Sequence, residues 1–256
     1  MGDILNKKGQ VTIFIVVAIV IIAIAALMYL FSPSVKSIIS PDTQNPEEFI
    51  REYLQEEVEA NIQTIAMQGG SYDLDSISTA NYGEYDVSYL CYTEDPYPIK
   101  CTLSTAGNTL IPWFEREIKN SISPIIDNSF TALKNSYEEE GYSIDIKPGE
   151  IEVKILPEKI TIDLDYKILL QKEKTEEFED FEIIVNTNIY QLLSIATNIL
   201  QYEASVGVAD PNRYLNSEGP KGFIWQKEIL SDKTKIYELE NIYSEDKFQF
   251  AVKGGL

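Results

Sequence analysis

The chain has 256 residues, a formal net charge of −20 at neutral pH, two cysteines and no histidine. Without histidine the usual general base and the commonest metal ligand are missing, so Ser-His-Asp and Cys-His catalysis are excluded in their ordinary forms. The acidic excess repels phosphate backbones and anionic headgroups, whose affinity comes from clustered Lys and Arg, and so argues against nucleic acid as a partner.

Residues 11–31, from Val11 to Phe31, carry no charge, and Lys7 and Lys8 stand just before them. At ~1.5 Å per residue the run is about 31 Å long as a helix, close to the ~30 Å hydrocarbon thickness of a bilayer. It is expected to cross a membrane once, which makes the lipid bilayer a partner through residues 11–31. The lysines favour a cytoplasmic N-terminus, so the chain from Ser32 onward is expected to be extracytoplasmic. The run is too long for a secretory signal peptide, and no good A-x-A cleavage site follows it.

The segment Lys7-Lys8-Gly9-Gln10-Val11-Thr12-Ile13-Phe14 resembles the class III signal peptides of archaeal type IV pilin-like proteins, in which a short basic leader ends in Gly and is cut before Gln. The resemblance implies cleavage between Gly9 and Gln10. That family commonly carries Glu five residues into the mature chain, where it helps register subunits; Phe14 stands there instead. A plain uncleaved anchor is the alternative.

After the span, Ser32-Pro33-Ser34 and Ser40-Pro41 read as part of a linker, residues 32–45. Asn45-Pro46-Glu47-Glu48 then signals a helix start, with a capping Asn, Pro at the first position and acidic charge at the positive end of the dipole. Ile50, Leu54, Val58, Ile62 and Ile65 recur at helical spacing, with Phe49, Tyr53 and Ala66 widening the stripe, and Gly69-Gly70 ends it. Tyr85, Val87, Tyr89 and Cys91 alternate as in a strand with one packing face. Cys91 and Cys101 bracket a Pro-containing turn, and outside a membrane such a pair suggests a disulfide, with a metal pair or free thiols as alternatives. A second helix is expected from about Pro112 to Glu139, interrupted or kinked at Pro124.

Three antiparallel strands follow by alternation: Ile151-Val153-Ile155, then Ile160 to Ile168, then Phe181-Ile183-Val185. An amphipathic helix, Ile189 to Glu203, can cover their apolar face. The tail offers a Phe223-Ile224-Trp225 patch and two strands near Lys235 to Leu239 and Lys247 to Val252. The expected fold class is α+β: a leader (1–10), one transmembrane helix (11–31), a linker, and an extracytoplasmic domain (46–205) with an antiparallel sheet packed by amphipathic helices. Residues 206–256 form a β-rich extension of it or a small lobe.

The leader, the helix ending Met67-Gln68-Gly69-Gly70, the helix through Pro124 and the meander leading into Ile189 to Glu203 together resemble a family of single-span surface proteins of small-genome archaea. The resemblance covers roughly residues 6 to 205, implies a surface location, and brings no catalytic residues with it.

Asp73-Leu74-Asp75 with Ser71 and Ser76 could offer oxygens to calcium, but lacks the twelve-residue EF-hand pattern and reads better as a polar turn. Asp163 and Asp165 share a strand face and could act as acid and base, yet Lys154 and Lys167 favour solvated cross-strand pairing. Glu138-Glu139-Glu140 and Glu173 to Asp180 read as a helix end and a hairpin tip. The tyrosines, dense from Tyr72 to Tyr97, are the surface feature best suited to binding. The expectation is a membrane-anchored structural or interaction protein without enzymatic chemistry or cofactor, with a pilin-like cell-surface subunit as one form. It would associate with itself or with other surface proteins. An envelope-tethered solute- or protein-binding receptor and a carboxylate-based hydrolase are the alternatives.

Overall fold

Asn45 begins the described structure: its side-chain carbonyl accepts from the backbone N–H of Glu47 at 3.1 Å and of Glu48 at 3.4 Å, starting helix α1, Pro46–Met67. Such a cap contributes about 0.5–2 kcal/mol. The computed structural model describes residues 45–94, 100–210, 212, 221–244 and 246–254. The hydrophobic run 11–31, the Gly9–Gln10 junction and the Pro96-Tyr97-Pro98 turn lie outside the described residues. Among the described residues no helix is long and apolar enough to cross a membrane.

The predicted stripe of α1 is buried from Ile50 to Ala66, except that Tyr53 stays 41% exposed and stacks on Phe49. A β-hairpin follows, β1 (Thr79–Tyr82) and β2 (Tyr85–Tyr92), then a short β3 (Thr102–Leu103) that pairs antiparallel with the end of β2. After the one-turn helix α2, Thr105–Asn108, the long helix α3 runs from Leu110 to Glu139 without interruption. Pro124 does not break it, because Pro124 and Asn120 lie on the exposed side, where water can satisfy the carbonyl that loses its donor.

The predicted meander is present with one strand more than expected. Strands β5 (Ile151–Leu156), β6 (Lys159–Gln171) and β7 (Thr175–Asn186) are antiparallel, and β4 (Ser143–Lys147) pairs with the second half of the same β6 edge that β5 uses in its first half. Helix α4, Ile189–Val206, buries Ile189, Leu192, Leu193, Ala196, Ile199 and Leu200 and ends at Gly207, whose φ of 87° suits a left-handed cap.

Strands β8 (Phe223–Ile229), β9 (Lys235–Asn241) and β10 (Lys247–Lys253) neither extend the meander nor stand apart; they join β1 and β2 in a second sheet, ordered β1-β2-β10-β9-β8. There β10 runs parallel to β2, so this sheet is mixed rather than antiparallel. A β-bulge lies in the β2–β10 register between Ala251 and Val252. As a result the predicted face of β2 divides: Val87, with Tyr85 and Tyr89 beside it, packs with Ala80, Ile236 and Ala251, whereas Leu90 and Cys91 enter the main core. Tyr82 on β1 donates to Glu228 on β8 at 2.8 Å. Four flat strand spacings would separate those strands by about 19 Å, so the sheet curls toward this face. One core joins α1, α3, α4 and both sheets.

Candidate functional site

The backbone first brings α2 hard against β2. A Cβ on Gly107 would lie 2.2 Å from the carbonyl oxygen of Leu90, so only glycine permits this approach. Ser104 holds the same junction from both sides: its N–H donates to Leu90 at 3.0 Å, and its hydroxyl accepts from Gly107 at 3.1 Å. Cys91 and Cys101 are bridged, with Cα atoms 5.4 Å apart, and Tyr92 lies opposite Thr102. The bridge therefore fastens the end of β2 to the chain that leads into β3 and α2.

An open cleft of about 300 Å³ lies along this junction. Ser88, Tyr89 and Tyr92 of β2 form one wall, and Ser104, Thr105, Ala106 and Trp113 form another; Ser71, Ile77 and Ser78 close it from the loop after α1. The two tyrosine rings meet edge to face, with centroids 5.1 Å apart. Their polar tips are engaged: the Tyr89 hydroxyl with Thr234 at 2.8 Å, and that of Tyr92, as donor, with Glu94 at 2.7 Å. The hydrogen bond to Glu94 holds the Tyr92 phenol above its ordinary pKa. Trp113 donates its indole N–H to Ser71 at 3.3 Å, and Ser71 is itself 3.3 Å from the Ser88 hydroxyl. The Arg116 guanidinium lies 4.1 Å from the Trp113 ring centroid. The cleft thus offers apolar ring surface over a floor in which the hydroxyls of Ser71, Ser88 and Ser104 are already paired.

The other candidates fall elsewhere. Asp73 accepts from the backbone of Asp75 at 3.0 Å in an exposed polar turn. Lys154 pairs with Glu152 of its own strand at 2.8 Å and across strands with Asp163 at 3.9 Å, and Lys167 pairs across strands with Glu177 and Glu179, so cross-strand charge pairing is present on that face. Glu150, Glu152, Asp163, Asp165 and Asp180 also border an open hollow of about 460 Å³, but all except the half-buried Asp163 are exposed. Among the described residues no three Cys, Asp or Glu side chains converge as metal ligands would.

A second polar cluster escaped the sequence reading. Glu203 and Lys235 are both buried, with a 2.6 Å ion pair. Glu203 also accepts from the Tyr237 hydroxyl and from the backbone of Ala209 at 3.0 Å, and Lys235 donates to the Gly207 carbonyl at 2.8 Å. Burial, together with the bond to Glu203, pushes the Tyr237 phenol up, so it remains a donor. The group ties the end of α4 to β9. A signal was present: Glu203 continues the Leu192-Ala196-Ile199 stripe, and Lys235 shares a strand face with Tyr237 and Leu239. Charges on two apolar faces imply a buried pair.

Compared with protein-family models, with curated proteins and with solved structures, the chain finds no match in any of the three.

Proposed function

We propose that this chain is a membrane-anchored, extracytoplasmic interaction protein whose outer body works by binding. The observation that carries this reading is the aromatic cleft braced by the Cys91–Cys101 bridge. Its lining contains Tyr, Trp, Ser and Thr, the residue types that give large contact area at low conformational cost, and among the described residues no carboxylate or amine for proton transfer. The disulfide supports an oxidising compartment, and the uncharged run 11–31 after Lys7-Lys8 supports a tether with the body outside. The cleft favours the receptor form of this reading over a purely structural subunit.

The experiment that tests it is alkylation of native membranes followed by non-reducing peptide mapping. A linked Cys91–Cys101 peptide is the expected result, and two alkylated thiols would contradict an extracytoplasmic body. In the same sample, a mature chain beginning at Gln10 is expected if the leader is of the pilin-like kind. An intact N-terminus would make the span a plain anchor.

A further inference from the structure

We propose that the cleft between β2 and the α2–α3 junction binds a small organic cation of the quaternary ammonium class. This deepens the binding role given above and rests on it. The ring faces of Tyr89, Tyr92 and Trp113 would hold the positive head.

Ring faces carry negative potential, and the two tyrosines, set at 61° to one another, form a corner that can present it from two directions. Hydrogen bonding points the same way. The tips of Tyr89 and Tyr92, the Trp113 N–H and the buried hydroxyls of Ser71 and Ser88 are all engaged within the protein. A primary ammonium entering here would give up water with few acceptors to replace it, at a cost. A quaternary ammonium has no N–H to satisfy and presents only polarised methyl groups, which suit ring faces. Among the described residues no lysine or arginine lines the cleft. Lys253, close enough to act electrostatically on both tyrosines, is paired with Asp232 at 3.0 Å. The guanidinium of Arg116 already lies over the indole, 4.1 Å from its centroid, so Trp113 can offer the ligand only its other face. The net charge of −20 raises the local concentration of any cationic solute. A volume of about 300 Å³ is at the small end for ligand sites and favours a small solute.

The test uses the full-length protein in lipid nanodiscs. Its two tryptophans, Trp113 and Trp225, give two indole N–H signals by NMR, one in the cleft and one on β8. Choline is titrated against 3,3-dimethylbutan-1-ol, which has the same shape with carbon in place of the charged nitrogen, and against sodium chloride. The expected result is a saturable shift of the Trp113 signal with choline, a much weaker one with the alcohol, and none with sodium. Trp225 should stay still throughout and report an intact fold. Tyr92→Leu should weaken choline binding about 2- to 30-fold, the range for losing one cation–π contact, whereas Tyr92→Phe, which keeps the ring, should bind nearly as the wild type. Equal shifts with choline and the alcohol would overturn the cation assignment and leave an apolar binding cleft. An equal response to sodium would overturn it as general charge screening. No saturable shift with any probe would overturn both the assignment and the binding role of this cleft.

Discussion

Replacing Glu203 with leucine removes the acceptor shared by three buried donors: the Lys235 ammonium, the Tyr237 hydroxyl and the Ala209 N–H. The Glu203 side chain is 0% exposed and that of Lys235 5%, so water cannot take over without opening the end of α4. Breaking a buried ion pair from one side costs about 3–5 kcal/mol, largely because the remaining charge is stranded. Removing both charges in Glu203→Leu/Lys235→Met should recover part of this loss. The Tyr237 and Ala209 donors stay orphaned, at about 1–3 kcal/mol each, so recovery is incomplete. Urea unfolding of the full chain in detergent, followed by circular dichroism, measures Glu203→Leu, Lys235→Met and the double variant against wild type. The expected order of stability is wild type, then the double variant, then Glu203→Leu. A Glu203→Leu cost below about 1 kcal/mol, or additive effects of the two substitutions, would refute the reasoning, since contacting charges must couple.

Three further outcomes follow from the same contacts. Gly107→Ala sets a methyl group 2.2 Å from the Leu90 carbonyl oxygen, so α2 must move off β2; overpacking of this kind costs about 1–3 kcal/mol, and an unchanged melting temperature would contradict the close approach. Cys91→Ser should cost roughly 2–3 kcal/mol by freeing the unfolded chain, while alkaline extraction of membranes should find insertion unaffected, because the span does not depend on the bridge. Tyr82, whose phenol the hydrogen bond to Glu228 pushes up to about 12, gives a pH signature. Its folded pKa lies above the unfolded value near 10, so its stabilising contribution is complete below pH ~10 and is lost as pH rises through about 12. Ultraviolet titration should find, among the late phenols, one step near pH 12 that disappears in Tyr82→Phe.

Short-range physics was legible in the sequence. The Asn45 cap, the stripe of α1, the β5–β6–β7 meander and helix α4 follow from local spacing, and each is where that spacing puts it. Strand partners were not legible, because alternation says which face is apolar but not which edge a strand joins. The pairing of β10 with β2 crosses more than half the described chain, and no local signal specifies its parallel sense. Strand β1 is four residues long and β3 two, too short for any period to show. Tyrosine density pointed to one wall of the cleft, and the cysteine spacing to its brace. The other walls were hidden, since Trp113 falls within the helix expected from Pro112 to Glu139 and Ser71 within what reads as a polar turn, and only folding brings both to β2. Helix α3 passes Pro124 for a reason the sequence leaves silent, namely which side of the helix faces water.

The central claim, a binding body held outside the membrane, is tested most directly by labelling intact cells with a membrane-impermeant amine reagent and mapping the modified lysines by mass spectrometry. Exposed lysines of the body, such as Lys119 and Lys174, should be modified on intact cells, with Lys7 and Lys8, where the leader is retained, modified only after lysis. Modification of Lys119 and Lys174 that appears only after lysis would place the body in the cytoplasm and contradict the account.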